Sequence, residues 1–457
     1  MKTLLLATTL LALNPSIERA RRETGVPAVA VIAVDRSGVL YAQAFGLADM
    51  EKNVRATTDT PFYIASATKS FTGLAAAILL AEGKLDIDAP LKQVVPETKM
   101  DRVTLRDLLT HRLGFENNSI TMRTAYSGEW DDAMIWRLLE QHTTTRARDF
   151  NYDNLGYVIA GYAIGSAGRG TWKSVIESRI LQPLGMTHTS PHPIAGSAKP
   201  YLFVNDRWVA GPEKRESTMH AAGGMYASVN DLGRWIRVQF GGGTIDGRRF
   251  FPARAMRETQ APQIGMKQHF HRFERYSYGF GWFHSDFEGE LLMHHFGGFS
   301  GAQAHVSFMP ERGIGVAVVT NTHGMFAHLV ASYVYDTLLK KSDAESRFEA
   351  DVKKLVDNYS TSSKRFRERA ENAAGELPAN VLAESHPPAW YAGTYVDDGW
   401  GAIVVDDQLH VRYGVLSGQM TRVQGNAFVF GLIPGESELA YFRNNELHWN
   451  EQTFTRK

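Results

Sequence analysis

The sequence predicts an α+β fold in which an antiparallel sheet is flanked by helices and interrupted by an α-rich insertion. A small C-terminal antiparallel β-barrel or sandwich follows. Three observations support this prediction: two β-rich runs near the start are joined by a turn, helical periodicity dominates the middle, and short β runs fill the chain from residue 390 onwards.

Length and composition limit the possible functions. With 457 residues, 44% of them hydrophobic, the chain can form two or three domains around a substantial core. Lys+Arg and Asp+Glu are equal at 49 each, so no strong field favours nucleic acid or an anionic membrane. The absence of cysteine excludes disulfides, thiolate metal sites and a cysteine nucleophile. We expect no nucleic-acid partner.

The first residues fit two alternatives. Residues 1–15 have a basic start and a short apolar run, as a secretory signal segment does. The run is too short to span a membrane, and we expect no integral span. An ordinary first helix fits equally well, because an amphipathic pattern follows from Pro15 without a spacer. A signal would predict a periplasmic or secreted protein, and an ordinary helix a cytoplasmic one.

The elements of the main domain follow in order. Residues 28–34 and 39–45 predict a hairpin around a turn cluster. Residues 65–82 are rich in Ala and Leu and end before Gly83, which predicts a buried helix with a glycine stop. Helical patterns, which predict the α-rich insertion, occur at residues 105–111, 131–142 and 155–181.

The second half of the domain returns to strands. Residues 263–278 mix charges with aromatics and predict a mobile loop, in which His269 and His271 lack supporting metal ligands. A helix at residues 323–341 is expected to pack on the sheet. Further strands are predicted at residues 278–283 and 291–295, and residues 302–309 and 315–320 predict a second hairpin.

Composition also predicts the domain boundaries. We expect a main domain over residues 16–342 and a charged helical connector over residues 343–387. Prolines mark the end of the connector, and short β runs over residues 388–457 predict the barrel or sandwich.

Ser66 and Lys69 stand at the start of the predicted buried helix. Residues three apart share one helix face, so the Lys69 amine can reach the Ser66 hydroxyl, giving a nucleophile with an adjacent base. Free N–H groups and the positive end of the helix dipole lie beside this turn. The alternative is a capping serine with a surface lysine. The apolar surroundings favour the first interpretation, because a buried lysine needs a polar partner.

Two further segments contain candidate site residues. Tyr152 and Asn154 lie among turn formers ahead of a periodic helix and can face one cleft, although Asn154 alone also fits a helix cap. His295 precedes Gly297 and Gly298, and glycines allow close backbone approach to a ligand. Taken alone, His295 also fits a core histidine with satisfied hydrogen bonds.

Taken in chain order, the Ser66/Lys69 pair, the Tyr152/Asn154 pair and residues 295–298 resemble the serine β-lactamase and penicillin-binding protein family. The branch with the most similar motifs contains class C β-lactamases, D-alanyl-D-alanine carboxypeptidases, D-aminopeptidases and related esterases. The resemblance implies a β-lactamase-like fold. The C-terminal β domain resembles accessory domains found on some of these hydrolases.

The resemblance also implies a role for each residue. Ser66 would attack a carbonyl and form an acyl-enzyme, while Lys69 and Tyr152 share its proton. Tyr152 is a useful base at neutral pH only if a cation lowers its pKa, and Lys69 is the expected cation. The backbone N–H groups of Ser66 and Gly298 would hold the oxyanion. Asn154 would orient Lys69 or bind the substrate amide.

One motif departs from the family pattern. Lactamases and peptidases of the family usually have Lys-Thr-Gly on the edge strand, whereas this chain has His295, Phe296 and Gly297. The family lysine and threonine help to bind a substrate carboxylate, and Phe296 cannot supply a hydroxyl. Efficient β-lactam hydrolysis is therefore not expected. His295 could still donate to a substrate oxygen or assist proton transfer.

The sequence therefore predicts a serine hydrolase, without metal or other cofactor, that cleaves a small-molecule ester, amide or peptide. A substrate containing a D-amino acid is one option. Two alternatives stay open: a β-lactamase or penicillin-binding D,D-peptidase, and a non-catalytic binding protein on the same fold. The C-terminal domain could either gate the cleft or mediate assembly into an oligomer.

Overall fold

The computed structural model describes residues 10–96, 98, 102–113, 118–141, 149–204, 207–357, 377–434, 438–449 and 451–457. The strands are β1 Ala28–Asp35, β2 Gly38–Asp49, β3 Val54–Arg55, β4 Phe62–Tyr63, β5 Thr189–Ser190, β6 Tyr201–Val204, β7 Arg207–Ala210, β8 Tyr226–Ala227, β9 Thr244–Ile245, β10 Arg248–Arg249, β11 Ile264–Phe270, β12 Phe273–Tyr278, β13 Phe283–Phe287, β14 Glu290–Phe299, β15 Ala302–Met309, β16 Ile314–Thr320, β17 Gly393–Asp397, β18 Gly401–Val405, β19 His410–Tyr413, β20 Leu416–Gln424, β21 Ala427–Phe430, β22 Glu438–Arg443, β23 Glu446–Trp449 and β24 Gln452–Arg456.

Helices cover both faces of the main sheet. They are α1 Leu13–Thr24, α2 Thr68–Ala81, α3 Leu91–Val94, α4 Leu105–Leu109, α5 Asn118–Thr121, α6 Asp132–Gln141, α7 Leu155–Gly168, α8 Trp172–Ile176, α9 Gln182–Leu184, α10 Val229–Phe240, α11 Ala253–Gln260, α12 Phe326–Leu338, α13 344–357, α14 Ala379–Ala383 and α15 Pro388–Tyr391.

The main sheet is antiparallel and has the order β11-β12-β13-β14-β15-β16-β1-β2-β3. The predicted first hairpin is confirmed, because β1 and β2 pair antiparallel. The pairing of β15 with β16 confirms the second predicted hairpin. Strands from the beginning and the end of the domain therefore meet in one sheet, with the helical insertion between them.

Strand β1 shows how the sheet is covered on both sides. Side chains alternate across a strand, so every second residue faces the same layer. Ala30 and Ile32 lie in the core that includes helices α2, α7 and α10, whereas Val29 and Val31 lie in the core that includes α1, α12 and α13. Both faces are buried, which explains why β1 is a continuous apolar run rather than an alternating one.

The predicted buried helix is confirmed as α2, preceded by one 3₁₀ turn at Ala65–Ala67. Gly83 follows it with φ +69°, a left-handed conformation that glycine adopts without a Cβ penalty. Helix α2 contacts α7, α8 and α11, so apolar residues surround it on several sides. This burial explains its nearly uniform apolar composition.

The prediction of a mobile loop at residues 263–278 is wrong. These residues form β11 and β12, an antiparallel hairpin at the edge of the main sheet. The charges on this hairpin hid the alternation of buried and exposed residues that marks a strand. Only β12 shows that alternation, with Phe273 buried and Glu274 exposed. An edge strand tolerates the polar residues of β11, and such residues discourage pairing with another chain.

Two outer helices belong to segments whose role the sequence alone left ambiguous. Helix α1 packs against the sheet, and the preceding Leu10 is fully buried with Leu13 in the same core. The apolar face of α13, which includes Phe348 and Val352, also lies in this core, whereas its charge suggested a connector. The predicted domain boundaries stay predictions. Residues 358–376 of the predicted connector lie outside the described residues, and so do residues 1–9 of the predicted signal segment.

The C-terminal strands β17–β24 form a closed antiparallel barrel, which decides between the predicted barrel and sandwich. The pairing of β17 with β24 closes it. The barrel lies against the helical insertion: the Val415 N–H donates to the Ser127 carbonyl at 2.9 Å, and Arg123 donates to the carbonyl of Gly399 at 3.3 Å. No helix among the described residues is long and apolar enough to cross a membrane.

Candidate active site

Ser66 lies in the short 3₁₀ turn between β4 and helix α2. The turn is anchored because the Ile64 N–H donates to the Met225 carbonyl at 3.0 Å. Ala65 has φ +44°, a left-handed conformation that is strained for a residue with a Cβ. Such strain costs about 1–3 kcal/mol and is frequent at functional sites, where the surrounding structure holds it.

The Lys69 amine is the polar centre of the site. Lys69 is fully buried, and its Nζ lies 3.1 Å from the Ser66 hydroxyl. Burial lowers the pKa of Lys69 from 10.5 to about 7, and the charge of Asp153 opposes part of that shift. About half of the Lys69 side chains are therefore neutral at neutral pH and able to accept a proton. The alternative of a surface lysine beside a capping serine does not fit this burial.

Two acceptors hold the Lys69 amine beside the serine. Asn154 Oδ1 accepts from Nζ at 2.8 Å, and the Ala222 carbonyl accepts at 2.7 Å. Asn154 occupies the N-cap position of α7, but its side chain makes no capping hydrogen bond. The structure therefore favours the interpretation that Asn154 orients Lys69 over that of a plain helix cap.

Tyr152 borders the opening of the site. The Ser66 hydroxyl interacts with its hydroxyl, and its ring centroid is 4.9 Å from Lys69 Nζ. The pKa of Tyr152 is raised by desolvation, which outweighs the lowering by Ser66 and by the charge of Arg275. Solvent reaches 37% of Tyr152 and weakens this effect without reversing it. The expectation that Lys69 lowers the pKa of Tyr152 is therefore not supported, and a protonated Tyr152 is favoured at neutral pH.

His295 lies in the site wall and is 1% exposed. Its Nδ1 is 2.8 Å from the Phe296 carbonyl and must donate there, because a carbonyl only accepts. Burial and the charge of Lys69 hold the pKa of His295 well below its usual range, so the ring is neutral. Its buried Nε2, without a hydrogen-bond partner among the described residues, then presents a lone pair. This tautomer can accept from a substrate but cannot donate to a substrate oxygen.

Strand β14 runs alongside the serine turn. A Cβ on Gly297 would lie 1.9 Å from the Ile64 carbonyl oxygen, so only glycine allows this approach. Gly298 follows and pairs with Gln303 of β15, while the pairing of β14 with β13 ends at His294. The part of β14 that contains Gly298 is thus free of β13 and borders the serine turn, as an oxyanion site requires. The Phe296 ring packs instead on the opposite, outer core.

Sequence reasoning gave no role to two buried neighbours. The rings of His111 and Tyr152 are 4.4 Å apart, and the Asp153 N–H donates to His111 Nδ1 at 3.2 Å. Burial lowers the pKa of His111, which keeps it neutral. Asp153 follows Tyr152 directly in the chain, and an acid directly beside a candidate base was the signal that could have revealed this contact.

Metal chemistry has no candidate centre in the described part of the chain. No group of three or more histidine, aspartate or glutamate side chains there could hold an ion. His269 of β11 contacts Glu274 of β12, and this pair is exposed on the sheet edge. Ser66, Asn154 and Tyr152 instead lie around the Lys69 amine, whose charge also acts on His295.

This arrangement, a large antiparallel sheet with Ser66 and Lys69 at the start of the buried helix behind it, defines a β-lactamase-like fold. The chain belongs to the Beta-lactamase family, whose model matches residues 14–338. The family predicted from the motifs is therefore confirmed, and so is the predicted fold class.

Relatives by sequence are distant. The unguisins hydrolase ungD′ of Aspergillus campestris is 24% identical over 404 residues, which are 82% of this chain and 73% of that protein. Protein flp of Staphylococcus aureus is 23% identical over 325 residues, which cover 68% of this chain and 62% of the flp sequence. The chain thus spans less than two thirds of flp.

Solved structures share the fold. The octameric penicillin-binding protein homologue of Pyrococcus abyssi has a TM-score of 0.63 and 22% identity, with 97% of this chain and 99% of that chain covered. The D-amino acid amidase of Ochrobactrum anthropi SV3 has a TM-score of 0.60 and 22% identity, with 76% and 99% covered. The first match extends over the C-terminal barrel. The relatives include hydrolases by name, which supports a hydrolase.

Proposed function

We propose that this protein is a serine hydrolase that cleaves an ester or an amide through an acyl-enzyme on Ser66. The observation that carries the proposal is the Lys69 amine, which is fully buried, 3.1 Å from the Ser66 hydroxyl and has a pKa of about 7. A neutral amine at hydrogen-bond distance is a suitable general base at neutral pH.

The first step forms a bond between Ser66 Oγ and the substrate carbonyl carbon, while the hydroxyl proton moves to Lys69 Nζ. The backbone N–H groups of Ser66 and Gly298 stabilise the negative charge that develops on the carbonyl oxygen. A donor of this kind contributes about 3–4 kcal/mol in comparable enzymes. Asn154 and the Ala222 carbonyl keep the amine aimed at the serine throughout.

The second step breaks the bond to the leaving group, which needs a proton. Tyr152 supplies it, because its hydroxyl is protonated and its ring lies 4.9 Å from Lys69 Nζ at the cleft opening. The proton then held by Lys69 replaces the one that Tyr152 has given. A water molecule hydrolyses the acyl-enzyme in the reverse sense, losing its proton to the same pair of groups and releasing Ser66.

The substrate class follows from the site and from the relatives. A neutral His295 with a free lone pair on Nε2 favours a substrate that carries an N–H or O–H near the scissile bond. The D-amino acid amidase among the solved structures supports an amide, including one that contains a D-amino acid. The absence of a Lys-Thr pair at 295–296 weighs against efficient β-lactam turnover.

A fluorophosphonate probe tests the nucleophile, and activated esters and D-amino-acid amides test turnover. We expect stoichiometric labelling on Ser66, detected by peptide mass spectrometry, and its loss with turnover in Ser66→Ala. Ser178→Ala is the matched control, because its hydroxyl bonds only to the Ser174 carbonyl on the surface among the described residues. A folded wild-type protein that neither reacts with the probe nor turns over any ester would instead indicate a non-catalytic binding protein.

A further inference from the structure

Lys214 is a buried lysine that the proposed reaction does not use. Only 7% of the residue is exposed, and its amine donates to the Ala125 carbonyl. Burial is the one resolved cause of its lowered pKa, so no carboxylate of the described chain compensates its charge. An unpaired buried ammonium is unfavourable, so the free amine favours its neutral form. An anion that reaches this amine stabilises the protonated form through a strong, charge-assisted hydrogen bond.

The Lys214 side chain borders a cavity of about 430 Å³ between the main domain and the barrel. Phe299 lines the cavity beside the lysine, and Val415 and Leu416 at the β19–β20 turn close it from the barrel. Its volume falls within the roughly 300–1,000 Å³ typical of small-molecule sites. Glu213 also lines it, but its carboxylate is 3.9 Å from the Lys199 amine and so is partly neutralised.

This cavity is adjacent to the Ser66 site. Phe299 follows Gly298 on β14, and its ring is 5.5 Å from the ring of Tyr63, which precedes the serine turn. The Lys214 amine lies 3.6 Å from the Phe299 ring centroid and 4.9 Å from that of Tyr63. The charges of Lys214 and Lys69 both lower the pKa of the buried His220, which places the two amines in one neighbourhood.

Other groups around Ser66 are poor counter-ions for an anionic substrate. The Lys69 amine already contacts Ser66, Asn154 and the Ala222 carbonyl. The lone pair on His295 Nε2 repels a carboxylate. The buried Arg275 guanidinium near the site already stacks on the Phe283 ring and donates to Gln268. Among the described residues, Lys214 is the buried cation that lines this cavity.

We propose that the cavity beside Phe299 binds a carboxylate of the substrate and that the Lys214 ammonium is its counter-ion. The inference rests on the proposed function, since the cavity is then a specificity subsite of the Ser66 reaction. The carboxylate belongs either to the acyl part or to the leaving group, and both arrangements require the same ion pair.

Two pairs of esters test the proposal and distinguish a carboxylate on the acyl part from one on the leaving group. The nitrophenyl monoester of glutaric acid and the nitrophenyl ester of pentanoic acid differ by a carboxylate on the acyl part. Butanoyloxybenzoate and phenyl butanoate differ by one on the leaving group. We expect wild type to prefer the carboxylate member of one pair and Lys214→Met to lose about 10- to 100-fold in kcat/KM for that member, mainly through KM. The neutral esters should keep their rates, as should all substrates in Lys353→Met, whose side chain is 77% exposed.

Equal loss on charged and neutral esters, or no preference of wild type in either pair, would overturn the subsite. If Ser66→Ala leaves ester turnover intact, the proposed function fails instead. Binding of glutarate, measured by calorimetry with Ser66→Ala, then decides the subsite independently. Binding that Lys214→Met abolishes supports the ion pair, and binding that persists in this variant contradicts it.

Discussion

One buried charge tunes the pH dependence of the proposed reaction. Asp153 is 1% exposed, and its negative charge raises the pKa of Lys69 against the lowering by burial. Replacing Asp153 by asparagine removes this charge and keeps the Oδ1 atom that accepts from the Gly156 N–H at 2.5 Å. We therefore expect Asp153→Asn to lower the pKa of Lys69 further while preserving the start of helix α7.

The size of the effect follows from the pKa of Lys69. At its ordinary pKa of 10.5, about one lysine in 3,000 would be neutral at pH 7, whereas about half are neutral at the value of about 7 in this site. Only the neutral amine accepts the Ser66 proton. The value of kcat/KM should therefore fall roughly tenfold per pH unit below pH 7 and reach a plateau above it. Burial raises the pKa of Tyr152, so this residue stays protonated above neutral pH and the plateau is maintained.

Initial rates with a neutral nitrophenyl ester between pH 5 and pH 9 measure this profile, after correction for spontaneous hydrolysis. We expect a single acid limb with a midpoint near 7 in wild type and a lower midpoint in Asp153→Asn. Asp231→Asn is the control, because Asp231 is also buried but does not influence the pKa of Lys69. A rate that still rises tenfold per pH unit at pH 9, or an unchanged or higher midpoint in Asp153→Asn, would refute Lys69 as the general base.

Two further predictions concern the walls of the site. In Gly297→Ala the new Cβ would lie 1.9 Å from the Ile64 carbonyl oxygen and push β14 away from the serine turn. We therefore expect kcat to fall at least about 100-fold, which is the loss that one misplaced oxyanion donor causes. Gly265→Ala, with open space around its Cβ, should keep wild-type rates and melting temperature; a fully active Gly297→Ala would exclude the proposed oxyanion site. Tyr152→Phe keeps the ring over Lys69 and removes the proton donor, so kcat for amides should fall about 10²- to 10⁴-fold, with a smaller loss for nitrophenyl esters, whose leaving group needs no proton. Equal losses on both substrates in stopped-flow kinetics would contradict proton donation by Tyr152.

Most of the fold could be predicted because its signals are local. The run at 28–34 and the apolar helix before Gly83 have periodicity and turn chemistry of their own. The hairpin at 263–278 could not be predicted in this way. Its membership of the sheet depends on pairing with β13, and its exposed edge gives it the charges of a loop. The closure of the barrel by the pairing of β17 with β24 could not be predicted either, because it is a long-range contact.

The candidate site was predicted more completely than its chemistry. Motif order was enough to select Ser66, Lys69, Tyr152 and Asn154, and these residues meet in the structure. The assumption that Lys69 makes Tyr152 acidic was wrong in direction. Burial penalises the charged form of both groups, so the amine becomes the weaker base and the phenol the weaker acid.

The sequence by itself determined the family, the secondary structure near Ser66 and the candidate reacting groups, because these depend on residue types at fixed spacing. Only the tertiary structure decided the proton content of those groups, the tautomer of His295 and the position of Lys214 beside the barrel. Each of these depends on how much water and charge surrounds an atom. That environment is assembled from segments as distant as Ala125, Lys214 and Leu416, whose proximity no local pattern encodes.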